Sequence, residues 1–115
     1  EEQTFQNITV DTAYNMIKKE NKYPNLIILD VRTPYEYKKG HLYDAILIPY
    51  DELEFEERIS EIEGYKNSEI IVYCKSSHRS TLASEILVEN GFTNIYNMLG
   101  GILAWIDADY PIWTT

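Results

Sequence analysis

Cys74 is the only cysteine of the chain, and it closes the apolar run Ile70-Ile71-Val72-Tyr73. After it come Lys75, Ser76, Ser77, His78, Arg79 and Ser80, and then a helical pattern from Thr81 to Asn90. A thiolate between a strand and a helix meets backbone N–H groups that lack partners, the positive end of a helix dipole and nearby cations. All three stabilise the charged sulfur. A lone cysteine is more often a small buried apolar group, but the position of Cys74 describes a reactive thiol instead.

The two histidines carry less. His41 follows Gly40 at a turn and reads as structural, whereas His78 lies in the cysteine loop, where an imidazole could titrate near neutral pH or simply face solvent. Two histidines and one cysteine so far apart make a poor metal site, so no metal is expected. One cysteine also excludes an intramolecular disulfide.

The net charge of −9 argues against nucleic acid and anionic membranes as partners. The charge is uneven. Residues 51 to 63 hold seven acids (Asp51, Glu52, Glu54, Glu56, Glu57, Glu61, Glu63) and one base, Arg58, a run that reads as a solvated helix face. The Cys74 loop holds Lys75 and Arg79 with no acid between them, a positive pocket suited to small anions. No apolar run approaches the ~20 residues of a membrane span, and no signal-peptide core is visible. The first residue is Glu1, which leaves a processed, exported form open, while a reduced thiol makes the cytoplasm the default. Monomer is the default oligomeric state.

The elements that must position Cys74 alternate. Asn7-Ile8 begins as a short strand, and Thr9 caps a helix whose Val10, Ala13, Tyr14 and Ile17 share a face. Leu26-Ile27-Ile28-Leu29 is apolar throughout, as a strand buried on both faces requires. Thr33-Pro34-Tyr35-Glu36 is a capping box with proline at the first helical position, and Gly40 can close that helix. Ala45 to Ile48 is a third strand stopped by Pro49; residues 51 to 63 read as one or two helices ending at Gly64. Ile70 to Tyr73 is the fourth strand, the following helix ends at Asn90-Gly91, Asn94 to Tyr96 is the fifth strand, and Gly101 to Asp107 is the last helix, carrying Trp105. Apolar strands alternating with helices predict one α/β domain over residues 1–115, with a parallel sheet covered on both faces.

Several pieces occur in a specific order: Ile28-Leu29-Asp30-Val31-Arg32-Thr33-Pro34-Tyr35-Glu36-Tyr37, Gly40-His41-Leu42, Ala45-Ile46-Leu47-Ile48-Pro49, Val72-Tyr73-Cys74 through Arg79-Ser80, and Leu99-Gly100-Gly101 with Trp105. Together they resemble the single-domain rhodaneses, the thiosulfate and persulfide sulfurtransferases. The resemblance implies a three-layer α/β/α fold with a five-stranded parallel sheet ordered 3-2-4-5-1. The strands ending at Asp30 and Cys74 are then neighbours at a topological switch point, where ligands bind.

The resemblance also implies the chemistry. Cys74 takes the outer sulfur of thiosulfate or a persulfide as a Cys74 persulfide and passes it to a thiol or cyanide acceptor, without a cofactor. The backbone from Lys75 to Ser80, including Ser76 and Ser77, forms the cradle for the anionic terminal sulfur, and Arg79 contacts the donor's anionic group. Lys75 raises the local potential. Asp30 and Arg32 resemble the family's Asp-x-Arg element and read as an ion pair that fixes the loops. Tyr35 and Trp105 read as core or pocket-wall aromatics, and Gly100-Gly101 as a tight turn.

Two positions depart from the pattern. Ser77 stands where related loops often carry glycine, which raises the question of positive φ, and Asp44 stands where glycine commonly precedes the third strand. Phosphatases and arsenate reductases of a related kind place five residues between cysteine and arginine, making a wider cradle for a tetrahedral oxyanion. Here four residues, Lys75 to His78, separate Cys74 from Arg79, which favours sulfur transfer. A binding module without turnover and a persulfide carrier served by protein partners are the remaining alternatives.

Overall fold

Every position of Leu26-Ile27-Ile28-Leu29 is apolar, and a computed structural model, which describes residues 4–114, shows why. Residues Ile27–Asp30 form β2, hydrogen-bonded on one side to β3 (Ile46–Leu47) and on the other to β4 (Glu69–Tyr73), with helices above and below. The sheet continues through β5 (Asn94–Met98) to β1 (Gln6–Ile8) in the order β1-β5-β4-β2-β3, every pairing parallel. Read from the other edge, this is the expected order 3-2-4-5-1.

Strand alternation sorts the core into two clusters. Ile70, Val72 and Cys74 face one side of the sheet with Phe55, Ile59, Ile62, Ala83 and Leu87. Ile71 and Tyr73 face the other with Ala13, Met16, Met98, Ile102 and Trp105. Each fully buried isoleucine contributes about 1.5–3 kcal/mol by leaving water, so the run that leads to Cys74 is among the best anchored of the chain. Leu29, Ile70, Ile71, Val72 and Tyr73 are all 0 % exposed.

The helices form where their caps predict. In α1 (Val10–Lys18) the Thr9 hydroxyl accepts from the Thr12 N–H at 3.1 Å. α2 (Pro34–Lys39) carries the full capping box: Glu36 N–H donates to the Thr33 hydroxyl, and Glu36 Oε1 accepts from Thr33 N–H. α5 (Gly101–Asp107) has the expected bounds, with Trp105 buried and its Nε1–H donating to the Pro111 carbonyl.

Three expectations change. The acidic run gives α3 (Phe55–Arg58) followed by a 3-10 segment, Ile59–Tyr65, kinked at Ile62. Phe55, Ile59 and Ile62 turn into the core while the acids face solvent. Gly64 lies inside that segment and ends nothing; its φ is not positive, and a Cβ there would meet no atom within 4 Å. α4 (His78–Glu89) begins before Thr81, so Arg79 and Ser80 belong to its first turn. Tyr35 lies outside the core at 69 % exposure, with the Lys39 ammonium 4.9 Å above its ring centre. Asp44 has φ of 62°, the left-handed conformation a glycine would ease and aspartate tolerates better than most residues.

Candidate active site

β4 ends at Tyr73, and the chain turns through residues 74 to 77 into α4, which sets the Cys74 sulfur under the first turn of that helix. Cys74 is 1 % exposed, and Ser80 N–H donates to its Sγ at 3.3 Å. Among the described residues, no protein acceptor meets the backbone N–H groups of Lys75, Ser76, Ser77, His78 or Arg79. The loop that follows the sulfur thus holds five backbone donors without a protein acceptor, a composition suited to binding an anion. Lys75, Ser76 and His78 are exposed; Ser77 and Arg79 are partly so; Ser80 is buried.

The first two carbonyls of the loop are spoken for by α5. Ile102 N–H donates to the Cys74 carbonyl at 2.9 Å and Leu103 N–H to the Lys75 carbonyl at 3.2 Å. In a trans peptide the N–H points opposite the C=O, so the Lys75 and Ser76 amides are turned away from α5. Gly101 makes this contact possible: at φ +59° it brings its backbone so near that a Cβ would lie 2.5 Å from the Cys74 oxygen.

Ser77 has an extended φ of −165°, so the position does not require glycine. Its hydroxyl donates to the Ser76 carbonyl at 2.6 Å and accepts from Gly100 N–H at 2.8 Å. The side chain is thus a tether between the loop and the turn before α5, not an additional cradle donor. The Ser80 hydroxyl likewise donates to the Ser77 carbonyl.

Arg79 reaches across to α2. Its Nη1 and Nη2 donate to Glu36 Oε1 and Oε2 at 2.8 and 3.1 Å, making the carboxylate of the capping box the partner of the loop's arginine. Hydrogen bonding to Arg79, supported by Thr33, holds the Glu36 carboxyl down at about 2. A carboxyl lowered in the folded state stabilises the protein above its unfolded pKa; this contribution fades as pH falls toward about 2, so the pair stays ionised near neutrality.

Asp30 and Arg32 form the expected pair, buried and bidentate: Arg32 Nε to Oδ1 at 3.0 Å and Nη2 to Oδ2 at 2.7 Å. Arg32 Nη2 also donates to the Gly40 carbonyl, and Tyr73 O–H donates to Asp30 Oδ2 at 2.6 Å while accepting from Leu42 N–H. Burial and the Asp30 charge push the Tyr73 hydroxyl far above its ordinary range, so it remains a donor. His41 is buried, stacked on Tyr37 with ring centres 3.9 Å apart, which fits its structural reading.

The sequence model described as a Rhodanese-like domain matches residues 9–108. The chain belongs to the rhodanese-like domain family. A putative mitochondrial thiosulfate sulfurtransferase of Schizosaccharomyces pombe is 32% identical over 106 residues, covering 84% of this chain and 75% of that protein. A tRNA uridine(34) hydroxylase of Buchnera aphidicola is 38% identical over 91 residues, 76% of this chain but only 28% of the hydroxylase. A solved structure, the rhodanese-related protein of Thermoplasma volcanium, matches with a TM-score of 0.75 at 28% identity, over 96% of this chain and 99% of that one.

In this rhodanese-like domain two long-range contacts escaped sequence reasoning. Glu36 was legible as a cap, but not as the partner of Arg79, 43 residues away. Tyr73 read as a strand residue, although its hydroxyl ties β4 to Asp30 and to the segment after Gly40. A tyrosine at the end of an otherwise aliphatic strand, beside the strand that carries Asp30, was the available signal. Tyr73→Phe is expected to cost about 1–3 kcal/mol, because it leaves the Leu42 N–H and one Asp30 lone pair buried without a partner. Urea denaturation measures this, and a loss within about 0.5 kcal/mol of zero would show that the clamp contributes nothing.

Proposed function

We propose that this protein is a rhodanese-type sulfurtransferase that moves a sulfane sulfur from thiosulfate or a persulfide to a thiol or cyanide through a Cys74 persulfide. The Cys74 thiolate attacks the outer sulfur of the donor; an S–S bond forms at Cys74, and the donor's own S–S bond breaks. Its electron pair leaves on sulfite, or on a thiolate that takes up a proton. The acceptor thiolate or cyanide then attacks the terminal sulfur and restores Cys74. No metal or organic cofactor enters these steps.

The observation that supports this reading most is the set of unpaired N–H groups from Lys75 to Arg79 in the loop after Cys74, next to the Ser80 N–H that meets the sulfur. Preorganised donors of this kind favour charge that develops at a terminal sulfur. Lys75 adds positive potential at the exposed rim. Arg79 is the residue we assign to the anionic end of the donor, since its pair with Glu36 occupies two of five guanidinium N–H donors. Asp30 and Arg32 hold the neighbouring strand end and take no part in the chemistry.

The test is direct. Incubation with thiosulfate or an alkyl persulfide is expected to leave one extra sulfur on the intact protein, and cyanide to remove it with release of thiocyanate. Failure to acquire sulfur from every sulfane donor would remove the enzyme reading and leave a binding module. Transfer of the loaded sulfur onto a small thiol is the second half of the same measurement.

A further inference from the structure

The loop that takes an anionic donor has its arginine neutralised by a neighbour. Glu36 is not required there by the helix it caps: glutamine fills the third position of a capping box equally well. The carboxylate instead places a fixed negative charge against Arg79, 2.8 and 3.1 Å from its two terminal nitrogens, and both partners are only about a quarter exposed. Salt screens such a pair less than a surface pair. Arg79 lies in the first turn of the helix that follows the cysteine loop, one residue before the Ser80 N–H that meets the Cys74 sulfur. The cation next to the nucleophile's loop is therefore held by a competing carboxylate.

We propose that Glu36 is a donor-selectivity residue: by cancelling the Arg79 charge it disfavours the doubly charged thiosulfate relative to a singly charged persulfide. The inference rests on the sulfur-donor reading above and adds to it the class of donor. A dianion gains one more unit of attraction than a monoanion from each net positive charge at the site. With Glu36 present the pair contributes a net charge near zero, and what remains is the exposed Lys75. With Glu36 uncharged, Arg79 contributes a full positive charge next to the cysteine loop, worth about a tenfold change in the affinity ratio of the two donors.

Glu36→Gln keeps the cap and removes the charge. The first readout is equilibrium affinity for thiosulfate in a Cys74→Ser background, by calorimetry, which requires no turnover. Glu36→Gln is expected to tighten thiosulfate about tenfold and to steepen the loss of affinity with added salt. The second readout is the ratio of sulfur-loading rates, thiosulfate over an alkyl persulfide, with Cys74 intact; it is expected to rise by a similar factor. Arg79→Gln should lower both quantities below the parent, and the Glu36→Gln/Arg79→Gln pair should bring them back toward it. Thr33→Ala weakens the same cap without changing charge and should leave the ratio where it was.

An unchanged ratio and affinity in folded Glu36→Gln overturns the proposal, as does the absence of measurable thiosulfate binding in every variant. Should Glu36→Gln not fold, the comparison of Arg79→Gln with the double variant measures the Glu36 charge alone, and equality there overturns it too. The sulfur-transfer reading fails separately, when the parent protein acquires no sulfur from any donor while the thiosulfate affinities still follow the charge series.

Discussion

Cys74→Ser is expected to abolish the proposed sulfur uptake, reducing loading from thiosulfate or a persulfide by at least about three orders of magnitude while the domain stays folded. The size of the effect follows from the surroundings of the sulfur. Among the described residues, its hydrogen-bond partner is the Ser80 N–H at 3.3 Å, a donor. A donor stabilises a thiolate, but it cannot remove the proton of a serine hydroxyl, which stays neutral at working pH. The buried position, 1 % exposed, also keeps bulk water from substituting as nucleophile. Stability is expected to change by no more than about 1–2 kcal/mol, because the Ser80 N–H still finds an oxygen acceptor and only the apolar packing within the core cluster that holds Cys74 weakens. The measurement is intact mass after donor treatment, with thermal unfolding as the fold control. Sulfur loading that persists in Cys74→Ser would place the nucleophile elsewhere. Turnover of an aryl phosphate that disappears in the same variant would favour the phosphatase alternative.

The sequence made the strands and the position of the thiol legible because both rest on local signals. The four-residue apolar runs 26–29, 45–48 and 70–73, the first two flanked by Pro24 and Pro49, have one physical solution in a chain of alternating helices, a sheet packed on both faces. The caps at Thr9 and Thr33 are equally local and formed as read. What escaped were contacts between elements distant in sequence, which no local pattern encodes. Glu36 meets Arg79, and Asp30 meets Tyr73, only because β2 and β4 are hydrogen-bonded neighbours. The start of α4 was missed for another reason. His78, Arg79 and Ser80 carry no apolar periodicity, and the helix extends over them because the Ser77 carbonyl accepts from Thr81 N–H and from the Ser80 and Thr81 hydroxyls. Departures from the family pattern were worth noticing in one case out of two. Asp44 does occupy a left-handed turn, whereas Ser77 is extended and uses its hydroxyl to hold Gly100.

Gly101→Ala is expected to destabilise the protein by about 3 kcal/mol or more and to disable the Cys74 loop in the fraction that remains folded. At φ +59° an L-residue costs about 1–2 kcal/mol in strain before any contact is counted. The added Cβ would then lie 2.5 Å from the Cys74 oxygen and 2.6 Å from the carbonyl carbon and oxygen of Lys75. These are backbone atoms next to the nucleophile, not the flexible end of a side chain, so relief requires α5 or the loop to move. Either movement stretches the bonds from Ile102 N–H to Cys74 and from Leu103 N–H to Lys75, each worth about 1 kcal/mol. It also releases the peptide orientation that turns the Lys75 and Ser76 amides away from α5. Gly64→Ala supplies the contrast: its φ is not positive, a Cβ meets nothing within 4 Å, and the change is expected within about 0.5 kcal/mol. Urea denaturation gives the stability difference, and sulfur loading below the unfolding transition gives the loop's competence. If Gly101→Ala loads sulfur as fast as the parent once corrected for its folded fraction, the seat of α5 against the loop does not orient the cradle, and the loop holds its shape through Ser77 and α4 alone.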